Sequence, residues 1–378
     1  MDILNKLGLS TCIRSGLDSL YFRMKHVLFN PPEISLKDWM LNRFGPLLYS
    51  IYFGPYSYKL WGRSTSSISS DWASQRISVP NLIFAFKKLF FKNGNEVKSY
   101  ANKFLYPNGG IGEIPNRLAG KLTLGGGKII VGHRLIGIIP HPEGLIVRVC
   151  NSQGQTKEFL AKKVISTIPL NEFVSSLNPL STKSVLDAAE GLSFRSVRFL
   201  NLMIDAAQVT ANSWFYIPER KFIFFRIQET SNWHPNNCPQ GKTGLTFEIA
   251  CDEGGRLWKM SDQDLFKCCM HDISKLGIHI ENKILGYFCT AALHAYPIYA
   301  LNYKNNLRMI YNYIKSLKNI AIAGRKGLFR YMNMDASIEN GILAAESLSY
   351  ERKREELFTI YNNNGYLEKE IYLKSNEQ

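Results

Sequence analysis

The chain has 378 residues, of which 45% are hydrophobic and 20% charged, a composition that indicates a globular protein and excludes a disordered one. A chain of this length can bury a large core, and we expect two domains. The formal net charge of +15 suits an anionic partner, but the basic residues are scattered and no zinc-finger, helix-turn-helix or aromatic RNA-binding pattern occurs, so we predict no nucleic-acid partner.

The cysteines and the apolar runs indicate the cellular compartment in which the protein is expected. The seven cysteines form no Cys-x-x-Cys pair and the histidines show no ligand spacing, which predicts no metal site and a reducing, cytoplasmic location. The first residues lack the apolar core of a signal peptide, and no apolar run approaches the ~20 residues of a membrane-spanning helix. The stretch 82–91 is apolar with two lysines. It is compatible with contact to a membrane surface, although we favour a helix of the substrate region with one solvated edge.

The first hundred residues predict helices. A loose apolar stripe over residues 1–30 indicates a helix, and Pro31 and Pro32 end it. Ser35 and Asp38 have the spacing of a helix cap. Two aromatic-rich helices follow, at 53–62 and 68–77. Aromatic side chains in such helices most often pack in a core.

The middle of the chain alternates between glycine clusters and strands. Gly109, Gly110 and Gly112 predict a tight entry into a helix that glycines 125–127 end. No strand precedes this cluster, so we do not interpret it as a phosphate loop. Strands are expected at 128–131, 134–139, 145–149 and 164–167.

After residue 169 the composition shifts towards β-branched and aromatic runs. These runs predict a mostly antiparallel sheet. Its strands are expected at 195–204, 214–217, 222–227, 245–251 and 284–291. Ser261 is placed to cap a helix through residue 276. An amphipathic helix is expected at 303–317, and the chain past residue 350 is charged and rich in asparagine, which predicts an exposed helix and tail.

The segment 319–346 predicts a strand, a glycine-containing loop and a helix. An apolar run from Ile320 to Ala323 is long enough for a buried strand, and Gly324 ends it. Asn333 and Asp335 are residue types that begin helices. The loop therefore aims a helix N-terminus, with its free N–H groups and partial positive charge, at whatever lies above the strand.

This segment resembles the C-terminal cofactor motif of the flavin-containing amine oxidase superfamily, in its protoporphyrinogen-oxidase-like and UDP-galactopyranose-mutase-like branch. In that motif a strand ending in Gly-Arg leads to Asn-Met-Asp-x-Ser-Ile at a helix start, as in residues 333–338 here. The resemblance implies FAD as the cofactor. It implies FAD contacts from Gly324, Arg325, Asp335, Ala336 and Ser337. An ordinary capped strand-to-helix connection is the alternative interpretation.

Other segments resemble the same family in the same order. The strand at 134–139 implies an adenine contact through the backbone of Leu135, and the phrase 164–169 implies that Thr167 neighbours the flavin. The phrases 55–62, 69–77 and 295–299 resemble substrate-side segments. The resemblance implies cavity positions for Tyr56, Lys59, Trp61, Arg76, Tyr296 and Tyr299. It singles out no catalytic residue.

The expected fold class is α/β (α+β). An incomplete FAD/NAD(P)-binding Rossmann-like domain accompanies a substrate domain with a mostly antiparallel sheet and helices. The expected segments are a helical substrate-side region at 1–100, the middle of the FAD domain at 101–170, the substrate-binding domain at 171–300, the end of the FAD domain at 301–350 and an exposed tail at 351–378.

The unit with which this family normally begins is absent from the sequence. That unit is a strand, a Gly-x-Gly-x-x-Gly turn and a helix, and it binds the ADP half of FAD. Three explanations stay open: the chain is a fragment, a separate chain supplies the unit, or the chain is degenerate and without catalysis.

The expected function is that of an FAD-dependent oxidoreductase that passes a hydride from a small-molecule substrate to flavin. The alternatives are a UDP-galactopyranose-mutase-like isomerase of sugar nucleotides, and a non-catalytic subunit or remnant.

Overall fold

The computed structural model describes residues 8–76, 105–177 and 181–358, apart from the side chains of 74–76 and 351–352. The stretch 82–91 lies outside the described residues. The described chain divides into two compact units, the first containing the residues up to 106 together with 216–222, and the second containing 107–215 and the residues from 223 onwards.

The first unit is helical, as the sequence predicts. Its helices are α1 (Leu9–Phe29), α2 (Leu36–Leu48), α3 (Gly54–Trp61) and α4 (Asp71–Arg76). The predicted cap of α2 is confirmed: Ser35 and Asp38 form a reciprocal capping box.

A glycine lets α1 and α2 approach closely. Gly45 has φ +73°, and a Cβ added to it would lie 2.9 Å from the Cβ of Asp18. The hydroxyl of Ser19 donates a hydrogen bond of 2.8 Å to the carbonyl of Phe44. Beyond Pro46, a π-helical turn over Tyr49–Phe53 leads into α3. The core of this unit is apolar and aromatic, and it includes Leu36, Trp39, Met40, Trp61, Ile68 and Trp72.

The second unit contains the described strands and the remaining helices. Its strands are β1 (His133–His141), β2 (Gly144–Asn151), β3 (Thr156–Ala161), β4 (Val164–Ser166), β5 (Ser193–Ile204), β6 (Trp214–Tyr216), β7 (Arg226–Glu229), β8 (Thr243–Cys251), β9 (Ile284–Ile298) and β10 (Ile320–Ile322). Its helices are α5 (Glu113–Leu124), α6 (Leu170–Ser176), α7 (Lys183–Glu190), α8 (Arg256–Lys259), α9 (Asp262–Ser274), α10 (Tyr303–Ser316), α11 (Gly324–Gly327), α12 (Met334–Ser347) and α13 (Glu351–Leu357).

The second unit contains two small sheets. Strands β1, β2 and β3 form an antiparallel meander, and β10 pairs in parallel with β4. The strands predicted at 134–139, 145–149 and 164–167 are confirmed, with ends shifted by a few residues.

The strand predicted at 128–131 is wrong. Within the described structure these residues form no strand, and Ile129 and Ile130 are each 52% exposed. An apolar run becomes a strand only where a neighbour satisfies its backbone.

The five-stranded sheet confirms the predicted mostly antiparallel sheet. Its order is β6-β7-β8-β5-β9, and β7, β8, β5 and β9 pair antiparallel. Strand β9 runs to Ile298, farther than predicted, and β7 begins only at Arg226. Leu200 and Phe247 lie opposite each other on β5 and β8 and share one face of the sheet. Both are fully buried, which is the pattern of a sheet with a packed face.

The chain past residue 350 packs on α10. The guanidinium of Arg354 donates to the carbonyls of Ile314, Lys315 and Leu317 at the C-terminal end of that helix. A cation suits this position because a helix C-terminus carries unpaired carbonyls and partial negative charge.

Within the described ranges, no helix combines the length and the apolar character needed to cross a bilayer. All seven cysteines are free thiols.

A buried carboxylate holds the loop before β6. Glu229 is fully buried and accepts backbone N–H bonds of 2.7 and 2.6 Å from Val209 and Thr210, and a hydroxyl bond of 3.0 Å from Thr243. Replacing Glu229 with alanine orphans these donors, so we expect a loss of at least about 3 kcal/mol in the free energy of unfolding. Urea denaturation measures it.

The matched control is Glu158→Ala, which removes an ion pair to Arg148 in which both side chains are about half exposed. We expect this control to cost less than about 1 kcal/mol. Equal losses in the two variants would contradict the role of Glu229.

Candidate functional site

The predicted strand, loop and helix fold as one compact turn. After β10, Gly324 adopts φ +75°, a conformation that disfavours any residue with a side chain. Its N–H donates a hydrogen bond of 2.6 Å to Oδ1 of Asn340 on α12. Outside the adjoining backbone, no atom of the described residues lies within 4 Å of the position that a Cβ would occupy. The turn therefore leaves open space directly beside the backbone.

Helix α11 brings the turn against β4. A Cβ on Gly327 would lie 2.9 Å from the carbonyl oxygen of Ser166 and 3.4 Å from the Cα of Thr167. Only glycine permits this approach of two backbones. Thr167 is exposed, and the structure thus places this predicted cofactor neighbour next to the predicted cofactor loop.

The N-terminus of α12 completes the turn. Asn333 is its N-cap but makes no side-chain cap hydrogen bond, and the Ser337 hydroxyl donates 2.8 Å to the Asn333 carbonyl. Asp335 is exposed in the first turn, and Ala336 is half-buried. A helix start that its own N-cap side chain does not cap offers N–H groups and partial positive charge to an anionic group.

An aromatic wall stands beside this turn. The rings of Tyr296 and Tyr331 lie nearly parallel, with centroids 5.6 Å apart. The guanidinium of Arg325 lies 4.6 Å from the Tyr331 ring centroid and donates 2.9 Å to the carbonyl of Met332. The hydroxyl of Tyr299 accepts the N–H of Tyr331 at 2.9 Å. Three predicted residues, Arg325, Tyr296 and Tyr299, are therefore brought together in one cluster.

A polar cluster lies on the five-stranded sheet. Nε and Nη2 of Arg226 each donate 2.8 Å to the carboxylate of Glu248, which also accepts from Gln228. The Glu248 side chain is 1% exposed and that of Arg226 is 28% exposed. Burial raises the pKa of the Tyr296 hydroxyl above its usual range. The nearby charge of Glu248 raises this pKa as well, and that of Arg226 lowers it. Tyr296 thus connects the polar cluster to the aromatic wall as a protonated phenol.

His294 lies on the same strand as Tyr296. Its Nε2 is 3.4 Å from Oε1 of Glu172, and its ring meets Phe194 edge-on with centroids 5.1 Å apart. Burial lowers the pKa of His294 against the opposing effect of Glu172. Among the residues that the structure describes, no group of three or more His, Cys, Asp or Glu side chains is placed to hold a metal ion.

Of the predicted residues in the first unit, Tyr56 lies in an aromatic cluster. Tyr56 stacks on Tyr52 at 5.9 Å and meets Tyr216 edge-on at 5.4 Å. The Nζ of Lys59 donates 2.8 Å to the carbonyl of Ile217. Trp61 is 1% exposed in the core of the unit, and the side chain of Arg76 lies outside the described residues.

Leu135 lies on the meander and not in the β10–α12 segment. It pairs with Val149 just before an irregularity in the β1–β2 register. Its side chain is half-buried.

Arg195 and Arg198, two arginines of β5, are held by contacts within the fold. Arg195 is buried in an ion pair with Asp252, and Arg198 is buried against Asp262 and the carbonyls of Leu257 and Met260. Arg226, in contrast, belongs to the partly exposed polar cluster.

Sequence reasoning missed several residues of the site. They are Gln228, Glu248, Tyr331 and Asn340. The sequence contains a feature that could have pointed to three of them. Gln228 and Glu248 are polar residues that alternate with buried apolar residues on their strands, and Asn340 is a poor helix former inside a helix.

The fold of this chain is shared with solved flavoenzyme structures, which confirms the predicted α/β class. With reduced UDP-galactopyranose mutase the TM-score is 0.76 at 18% identity, covering 93% of this chain and 77% of that chain. With a putative protoporphyrinogen oxidase from Exiguobacterium sp. 255-15 the TM-score is 0.61 at 16% identity, covering 88% and 71%. With a putrescine oxidase redesigned in cofactor binding it is 0.56 at 13% identity, covering 84% and 68%. The sequence matches no protein-family model.

The Arg226–Glu248 pair offers a test of the polar cluster. Arg226→Ala leaves the buried Glu248 carboxylate without its cation, so we expect a loss of about 3 kcal/mol in the free energy of unfolding. The double variant Arg226→Ala, Glu248→Leu removes both charges and should recover most of that loss. With the single variant Glu248→Leu added, chemical denaturation of the four proteins measures the coupling, and additive losses would contradict a paired, desolvated cluster.

Proposed function

We propose that the chain is the flavin-side and substrate-side part of an FAD-dependent oxidoreductase of the amine-oxidase-like superfamily. The observation that carries this proposal is the turn at Gly324. It leaves open space beside the backbone and leads to a helix start that its N-cap side chain does not cap. The shared fold with flavoenzymes supports the same proposal.

The residues around the turn fit the flavin half of FAD. The backbone at Gly324 and the side chain of Arg325 would hold the chain that links the ring to the phosphates. Thr167, Asp335, Ala336 and Ser337 would contact the ring and the linking chain. The α12 N-terminus favours negative charge on the ring edge that faces it. When bound, FAD supplies the hydride acceptor for a substrate carbon.

The aromatic wall and the polar cluster would receive the substrate. Tyr296 and Tyr331 offer apolar faces that exclude water. Tyr296 is a neutral phenol near pH 7, as tyrosine ordinarily is, and burial raises its pKa further, so its hydroxyl can donate a hydrogen bond to a substrate oxygen or nitrogen. Arg226 presents a cation that is partly exposed and held in place by Glu248, which suits a small molecule with a negative or polar group.

A Gly324→Ala substitution tests the flavin site. The new methyl group enters the open space beside the turn and strains a backbone at φ +75°. We expect the dissociation constant for FAD to rise at least about tenfold, which corresponds to a loss of about 1.4 kcal/mol in binding free energy. Titration followed by flavin absorption and fluorescence measures the dissociation constant.

The matched control is Gly154→Ala, in the turn between β2 and β3. Gly154 has φ +78° and likewise no atom within 4 Å of its Cβ position. Both substitutions cost about 1–2 kcal/mol of backbone strain. Gly154→Ala should therefore reduce stability as much as Gly324→Ala while leaving FAD affinity unchanged, and equal effects on FAD would contradict a site at Gly324.

Anaerobic reduction identifies the reaction. Putrescine and protoporphyrinogen, the compounds in the names of the oxidases with this fold, are the first probes. An oxidoreductase should bleach its flavin absorption with a stoichiometric amount of substrate and regain it with oxygen. A flavoprotein that no reduced substrate of a broad panel bleaches would contradict the oxidoreductase proposal.

The second candidate is an isomerase of sugar nucleotides. The likeness to UDP-galactopyranose mutase, with a TM-score of 0.76 over 93% of this chain, favours it. The arginines weigh against it, because the side chains of Arg195 and Arg198 are buried and paired with Asp252 and Asp262, whereas a pyrophosphate needs several accessible cations. Isomerised sugar nucleotide, formed from UDP-galactopyranose without net electron transfer, would establish this candidate instead.

The remaining alternative is a non-catalytic subunit. It predicts a folded chain whose flavin affinity stays negligible in every complex it forms.

A further inference from the structure

The inward side of helix α1 is polar. Its most deeply packed residues are Ser15 and Ser19, each 6% exposed. The side chains of Asp18, Ser19 and Arg23 form hydrogen bonds of 3.3, 2.8 and 2.9 Å with the backbone of α2. A rotation of α1 about its axis would break these bonds, so they fix which side of the helix faces the rest of the unit.

The outward side of α1 is apolar. Six large side chains on this side are between 37% and 72% exposed, and we call them the α1 stripe: Ile13, Leu17, Leu20, Tyr21, Met24 and Leu28. With 3.6 residues per turn, they lie within about a third of the helix circumference. A surface helix normally has the reverse arrangement, with its apolar side towards the core. Such a contiguous exposed apolar patch marks a site of interaction with another molecule or with a membrane.

Cations border the α1 stripe on one edge. Arg14 and Lys25 are exposed and lie next to Tyr21 around the helix. Asp18 is the only acidic residue of α1, and its carboxylate accepts a hydrogen bond from the backbone of α2. An apolar side with basic residues beside it is the pattern of helices that lie in the interface of an anionic membrane. The net charge of +15 attracts the chain to such a surface as well.

We infer that α1 binds the surface of a membrane that contains anionic lipids, with the α1 stripe inserted among the acyl chains just below the headgroups. Arg14 and Lys25 would then reach the lipid phosphates while their aliphatic stems stay beside the apolar residues. The helix would lie in the plane of the membrane, since no helix of the described residues has the character of a membrane-spanning segment. The inference does not depend on the proposed FAD function, because no residue of the Gly324 turn takes part in it.

A second copy of the chain suits this side of α1 less well. When two identical helices pack antiparallel, equivalent edges of the two helices meet. Arg14 and Lys25 of one copy would then lie beside the cations of the other, and such a juxtaposition of like charges is destabilising. The phosphates of anionic lipids instead place negative charge along this edge.

Vesicle binding tests the inference. The full chain is sedimented with vesicles of phosphatidylcholine alone and with vesicles of phosphatidylcholine mixed with phosphatidylglycerol. We expect at least about tenfold tighter binding to the anionic vesicles at low salt, because each basic residue near the surface adds to the attraction, and a loss of that preference at high salt. The double variant Arg14→Gln, Lys25→Gln should remove most of the preference and keep the residual binding that the apolar residues provide.

Variants of exposed leucines separate the α1 stripe from general hydrophobicity. Leu17→Gln removes an apolar side chain of the stripe that is 61% exposed, and the matched control is Leu118→Gln on α5, where Leu118 is 55% exposed. Glutamine has nearly the helix propensity of leucine, so both variants should keep the circular dichroism of the parent chain. We expect Leu17→Gln to weaken vesicle binding at least about tenfold and Leu118→Gln to change it less than about threefold.

The remaining outcomes decide against the inference. A chain that binds no anionic vesicles, or binds neutral and anionic vesicles equally, overturns it, as does an equal loss of binding in the two leucine variants. A dimer in sedimentation velocity that Leu17→Gln dissociates, with no vesicle binding by the parent chain, assigns the α1 stripe to a second copy instead. FAD titration of the same protein reports on the proposed function separately, so either proposal can fail while the other stands.

Discussion

The parallel pairing of β10 with β4 is the constraint on which the rest of the site depends. It joins two short strands that lie far apart in the chain, Ile320 opposite Val164 and Ile322 opposite Ser166. Gly327 then returns to within contact of the Ser166 carbonyl, an approach that leaves no room for a side chain. Thr167 and the Gly324 turn consequently meet at the same end of the sheet, the end at which parallel sheets bind their ligands.

The antiparallel sheet contributes the other half of the site through the placement of its charges. Arg195 and Arg198 are buried arginines whose carboxylate partners, Asp252 and Asp262, are 64% and 60% exposed. Arg226 pairs with a buried carboxylate but keeps part of its surface in solvent. The sheet thus uses some of its arginines for its own stability and presents Arg226 towards Tyr296.

Local patterns predicted most elements, and their failures follow from missing neighbours. The caps at Ser35 and Ser261 are short-range hydrogen bonds, and both are present as expected. Residues 128–131 have strand composition but no ladder partner, so they form no strand. The strand predicted at 222–227 begins later, at Arg226. Phe222, Phe224 and Phe225 are buried aromatic residues just before it, and composition alone does not distinguish packed aromatic residues from a strand.

The sequence by itself determined the strand–glycine–helix segment at 319–346 and the antiparallel sheet, because alternation, glycine and cap residues act within a few positions. It also carried the resemblance that implied FAD. Only the tertiary structure decided that Glu248 holds Arg226, that Tyr331 stacks on Tyr296, and that Asn340 binds the Gly324 N–H. The outward position of the α1 stripe likewise became apparent only from the tertiary structure. These contacts join residues from separate strands and turns, and the register that brings them together comes from long-range pairing, which no local pattern records.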